Sequence, residues 1–302
     1  MNYTPLGISC LLFSMQFIFS KWYQLRTDNS LKSSLRMTVF DSIWLSVIFL
    51  VANGFSLRLT PLSVLLATGY SAFAIICIVA SLFAMRYGKV VNVSLFMLTG
   101  GLILPVLYGV VILWESLNIQ QGIGILMIML SFFCSALSRE PRERQDDSNK
   151  IRCLLLYITV FVCNGMISVI TKAHSVGKET VPEQDFLIIA ALLRLVIGLV
   201  LLVIINIKKQ PVKHLHNITP ARMLNKLPLF LIVGGYTLCN GVANFFSLIT
   251  AKTMDSSVQF PIISATVVLL TALISWAIYK EKPTFYEMIG MAFTLFGIVL
   301  MI

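Results

Sequence analysis

The chain has 302 residues, of which 58% are hydrophobic and 12% charged, with a net charge of +10 and a mean hydropathy of +0.89. So few charges cannot cover the surface of an ordinary soluble domain, which excludes that class. Continuous apolar runs of about 20 residues match the length of a bilayer-crossing helix. They exclude a β-barrel, whose strands alternate. The positive charge then reads as loops held on one side of a membrane, not as a nucleic-acid footprint.

In chain order the apolar spans are expected at 5–23, 37–52, 62–84, 90–113, 119–137, 153–171, 186–207, 228–250, 256–279 and 285–302. Met1 to Thr4 carries no basic residue ahead of the first run, so that run reads as a retained span and not a cleaved signal. Basic loops follow the first, third, seventh and ninth spans. The most polar stretch, Ser138 to Lys150, mixes both signs of charge and reads as an exposed linker. The expected class is an all-α polytopic membrane protein of ten transmembrane helices. Its first five-helix repeat covers 1–137, the polar linker 138–151 and the second repeat 152–302.

Two stretches support the repeat. Residues 69–124 align without gaps on 235–290, and ten positions are identical: Gly69, Tyr70, Ser81, Leu82, Leu104, Leu107, Ile112, Glu115, Ile123 and Gly124. A composition this apolar gives about four by chance, so the shared punctuation carries more weight than the count. Gly-Tyr opens one span in both copies, a Glu closes the next, and Ile-Gly lies in the third.

A repeat with an odd number of spans is followed by its copy in the opposite orientation. The charges agree: the loops after the odd-numbered spans hold 18 Lys and Arg, and the opposite side holds Arg58, Lys172, Lys178 and Lys252. Opposite charge bias in two related halves is what inverted insertion requires. The positive-inside rule places both termini outside. The expected location is the plasma (inner) membrane.

Several runs resemble the drug/metabolite transporter superfamily, in its ten-helix branch of two EamA-type halves. In the first half they are Ala84-Met-Arg-Tyr-Gly, Leu95 through Pro105, Trp114-Glu115-Ser-Leu and Gln121-Gly-Ile-Gly124. In the second they are Pro261, Tyr279-Lys-Glu281-Lys-Pro283 and Glu287-Met-Ile-Gly290. Met15 with Lys21 and Met166 with Lys172 share an offset of 151, and Arg194 sits where such halves often carry an arginine in their second helix. The resemblance implies a carrier with a central cavity between the first, third and fourth helices of each half, working by alternating access. It also implies cytoplasmic termini, against the charge count, which is kept for this chain.

Polar side chains on those cavity helices are the expected lining: Gln16, Tyr70, Asn92, Asn164, Tyr236, Asn240, Asn244 and Gln259. Tyr236, Asn240 and Asn244 recur every four residues and so share one helix face. The alternative for such residues is helix–helix hydrogen bonding. Asp41 and Arg194 are the acid and the base set well inside spans, and an isolated charge there is costly. Counted from 37, Asp41 lies about 7 Å deep, and Arg194 about 13 Å from the other face. In a core of about 30 Å, roughly 10 Å separates their levels. A shared hydrated cavity is therefore expected ahead of direct contact, with Asp41 as the acid for proton coupling.

Glu115 and Glu281 stand just before helices and are expected to serve exposed amides there. Gly100, Gly101, Gly109, Gly122 and Gly124 read as close-packing positions. The six cysteines show no metal or disulfide spacing, His214-x-His216 reads as a solvated loop pair, and no phosphate loop or nucleophile triad is present. The expected function is a secondary transporter for a small polar or amphiphilic solute, with a proton or another coupling ion, the lipid bilayer as surroundings, and no cofactor, metal, nucleic acid or enzymatic activity. The alternatives are a multidrug exporter and a non-transport membrane scaffold.

Overall fold

The computed structural model describes residues 3–27, 30–87, 90–137, 147–207, 228–279 and 285–301. They form ten helices: α1 (Thr4–Arg26), α2 (Leu31–Ala52), α3 (Pro61–Tyr87), α4 (Val90–Ile112), α5 (Ile119–Leu137), α6 (Asp147–Val176), α7 (Glu183–Ile207), α8 (Leu229–Thr253), α9 (Ser256–Tyr279) and α10 (Phe285–Met301). Six contain a stretch long and apolar enough to cross a membrane, and α1, α4, α5 and α10 hold shorter apolar stretches. Large apolar side chains such as Phe55, Ile119, Val203, Phe296 and Val299 remain exposed, an outer surface suited to lipid. The protein is an integral membrane protein. His214, His216 and Glu281 lie outside the described residues.

Local chemistry sets the helix ends. Ser30 caps α2 by accepting from the Ser33 amide at 3.2 Å. α2 therefore starts at Leu31, six residues earlier than the apolar run, because Lys32 and Arg36 sit on its first turns. α3 opens on Pro61, whose fixed φ suits a first helical position, and Thr60 accepts from the Ser63 amide at 3.3 Å. α6 likewise begins at Asp147, inside the expected linker.

The end of α2, the start of α3 and the α6–α7 turn meet at one face of the bundle. Asp185 takes hydrogen bonds from the Asn53 amide group and the Arg58 backbone, and Ser63 Oγ accepts from the Val181 amide at 2.9 Å.

In lipid there is little hydrophobic drive between helices, so close approach and hydrogen bonds hold them. α4 packs along α6 and α5 along α10. At Gly100 an added Cβ would stand 2.0 Å from the Phe161 carbonyl oxygen of α6, and at Gly124 it would stand 2.9 Å from the Gly297 carbonyl oxygen of α10. Ser131 and Thr294 share a 2.5 Å hydrogen bond between α5 and α10. Many helix hydroxyls bond the carbonyl four residues back, as Ser14 does to Cys10 at 2.7 Å, which satisfies them without a second helix.

A paired substitution tests this packing. Gly100→Ala meets backbone, and overpacking of this kind costs about 1–3 kcal/mol. Gly122→Ala has open space around its Cβ and is expected to be neutral or to stabilise by about 0.5–1 kcal/mol. Thermal unfolding in detergent should lower the melting temperature for the first and not the second.

Candidate functional site

Asp41 comes from the middle of α2 and Arg194 from the middle of α7. Asp41 is ten residues past Leu31, about 15 Å along the axis, and Arg194 is eleven past Glu183, about 16 Å from the opposite end. The longer α2 thus brings both groups to one level. Contact is direct rather than through a shared hydrated space: Arg194 Nη1 lies 3.4 Å from Asp41 Oδ2. Thr237 on α8 donates to Asp41 Oδ1 at 2.8 Å. Both residues are buried, and the Arg194 Nε is buried with no hydrogen-bond partner among the described residues. Tyr70 of α3 and Tyr236 of α8 lie within electrostatic range of both charges. Four helices, α2, α3, α7 and α8, thus converge on one charge couple.

The other candidate residues fall around it. Tyr70 is buried, its ring edge-on to Phe186 with centroids 5.8 Å apart. Tyr236, Asn240 and Asn244 are half-buried along α8. Asn244 Nδ2 donates to the Asn240 carbonyl at 2.8 Å and to Asn240 Oδ1 at 2.7 Å. Ser247 continues this stripe, and Gln259 of α9 donates to its carbonyl at 2.7 Å and its hydroxyl at 3.2 Å. Gln259 is fully buried, with Oε1 unpartnered among the described residues.

Asn164 of α6 is half-buried and donates to the Met97 carbonyl of α4 at 2.8 Å, beside the Gly100-Gly101 approach. Gln16 of α1 is half-buried, and its buried Oε1 has no partner among the described residues. Asn92 belongs to α4, and its side chain lies outside the described set.

A second buried charge pair was not singled out from the sequence. Lys172, near the end of α6, lies 2.9 Å from Glu115 Oε1. Its ammonium group also donates to the Ala251 and Met254 carbonyls at the end of α8, at 3.1 and 2.7 Å. Glu115 Oε2 accepts from the Ser256 amide at 2.7 Å, at the start of α9. This corrects the expectation that Glu115 serves the helix following its own turn. Gln121 accepts from the Asn118 amide at 3.1 Å at the start of α5. Trp114, at φ 56, turns the chain back. Gly109 leaves room, since a Cβ there would stand 2.2 Å from Glu115 Oε2. Glu115 and Glu281 at one repeat offset, with Lys21 and Lys172 at another, were the available signal.

With this geometry in hand, comparison with known proteins is direct. The sequence model of the EamA-like transporter family matches residues 151–302, half of the chain. The chain belongs to the EamA-like transporter family. That family is part of the drug/metabolite transporter superfamily, and its members are membrane transporters. No curated protein matches. A solved structure described only as a crystal structure of protein is similar in fold, with a TM-score of 0.70 at 17% identity, covering 98% of this chain and 94% of that one.

The charge couple makes a quantitative prediction. Arg194→Met leaves Asp41 buried without its cation, which costs about 3–5 kcal/mol. An apolar replacement of both, Asp41→Leu with Arg194→Met, removes the uncompensated charge and should recover most of that loss. Urea or heat unfolding of the single and double variants in lipid–detergent micelles measures both.

Proposed function

We propose that this member of the family is a secondary active transporter that moves a small polar or amphiphilic metabolite by alternating access between two inverted five-helix repeats. The repeats are 1–137 and 152–302, joined by the linker 138–151. The observation that carries this reading is the half-buried run Tyr236–Asn240–Asn244 on α8, directly beside a buried charge couple. Half-exposed polar side chains inside a bilayer bundle face its interior or a water-filled cavity. Supporting it, the chain holds ten helices, five on each side of the linker, and a repeat with an odd number of spans inserts inverted to its copy. Gln16, Tyr70, Asn92, Asn164 and Gln259 complete the proposed lining. The proposed orientation has the basic loops in the cytoplasm and both termini outside.

Asp41 is the proposed proton-coupling acid. It faces Arg194 from α7, the Thr237 hydroxyl from α8, and the phenols of Tyr70 and Tyr236 from α3 and α8. A proton on Asp41 would release Arg194 to a passing solute, and loss of the proton would restore the pair. The purified protein in proteoliposomes, screened against amino acids, sugars and quaternary amines under an imposed pH gradient without ATP, should take up one class. Asp41→Asn keeps an oxygen for Thr237 and should fold at reduced stability, yet lose the pH-driven component entirely. Undiminished pH-driven uptake by folded Asp41→Asn excludes the coupling role, and uptake of none of the classes counts against transport of such solutes.

A further inference from the structure

We infer that the Glu115–Lys172 cluster is a two-helix-end latch that holds one end of the transporter shut, and that it must part for that end to open. The inference rests on the alternating-access reading above. Three features make the cluster more than a structural ion pair.

First, it is fully satisfied, and its partners come from both halves of the chain. Lys172 has three ammonium protons and three acceptors: Glu115 Oε1, the Ala251 carbonyl and the Met254 carbonyl. Glu115 takes the Lys172 ammonium and the Ser256 amide, and the Ser256 hydroxyl stands 3.4 Å from its Oε1. The α4–α5 turn, the end of α6 and the α8–α9 turn are therefore clasped at a single point. Both side chains are at least nine-tenths buried.

Second, the polarity of the latch is fixed by the helix ends. A carboxylate at the first amide of α9 and an ammonium at the last carbonyls of α8 each oppose the partial charge of their helix end. The pair is thus held by two dipoles as well as by mutual attraction, and it cannot be reversed.

Third, the clasped segments are set off from the rest of their helices. Pro105 interrupts α4 ten residues before Glu115, and Pro261 interrupts α9 five residues after Ser256. A proline inside a helix removes one backbone bond and kinks the axis. The last turns of α4 and the first turn of α9 can therefore swing without disturbing the far ends.

The corresponding helix pairs of the two halves pack unequally. Among the described residues α4 runs closely along α6, and α6 also meets α8. The corresponding pairs of the other half, α9 with α1 and α1 with α3, touch far less. Lys21 and Glu281 stand at the corresponding sequence positions, outside the described side chains.

The test uses full-length protein in nanodiscs, with native cysteines replaced and spin labels at Ser116→Cys and Thr253→Cys, exposed positions on either side of the latch. Pulsed electron–electron resonance reads the distance between them. Wild type should show mainly the short distance with a minor long one. Glu115→Gln should raise the long population by about tenfold or more, from loss of a charge-assisted bond.

Ser256→Pro removes both the amide and the hydroxyl that Glu115 accepts, at a first helical position where proline is tolerated, and leaves the Glu115–Lys172 charges in place. It should act in the same direction and guards against misfolding of the first variant. The reversed pair, Glu115→Lys with Lys172→Glu, should not restore closure. Two distances whose ratio neither Glu115→Gln nor Ser256→Pro moves, or closure restored by the reversed pair, overturns the latch alone. One short distance in wild type and in both variants overturns it together with alternating access.

Discussion

A charge inside a bilayer needs a partner, and much of this structure follows from how four such charges are matched. Asp41 and Arg194 meet in the middle of the bundle, and Glu115 and Lys172 meet near one end. Each pair joins the N-terminal half of the chain to the C-terminal half. Among the described residues the central pair has one ion contact of 3.4 Å, one threonine hydroxyl and an unpartnered guanidinium nitrogen. The end pair has every ammonium proton placed. The central couple is the less fully satisfied of the two, and a partly satisfied buried network is the costlier one to keep.

Around these pairs the helices are held by contact geometry. Lipid tails are as apolar as leucine, so burying leucine between helices gains little. Gly100 against the Phe161 carbonyl and Gly124 against the Gly297 carbonyl bring backbones together. Asn164 and Ser9 add hydrogen bonds to carbonyls of neighbouring helices, at 2.8 and 3.0 Å. Such interfaces rest on backbone approach and single hydrogen bonds, so they can part at modest cost.

The ten helices were legible because each apolar run is long and bounded by charges or prolines. Asp41 and Arg194 stood out for the opposite reason, as charges where apolar residues are the rule. Hydrophobicity alone starts α2 at 37, six residues late, and so sets the two charges at different levels. Ser30 caps the helix earlier, and the polar first turns carry Asp41 to mid-bundle. The partner of Glu115 was invisible locally, since Ser256 is 141 residues away and the turn that aims the carboxylate depends on Trp114 and Gly109. The contacts of Asn164 and Gln259 required knowing which helices adjoin. Tyr236, Asn240 and Asn244 could be grouped by spacing, but not the hydrogen bond that links the two asparagines.

The central claim is a solute path along the polar face of α8 beside the charge couple. Its most direct test is a single cysteine at Asn240, in protein lacking the six native cysteines, probed in oriented vesicles with a membrane-impermeant thiol reagent. The account predicts reaction from one side of the membrane in the resting protein, slowed by a transported solute found in the uptake screen. A cysteine at this position that reacts from neither side, with or without such a solute, contradicts it.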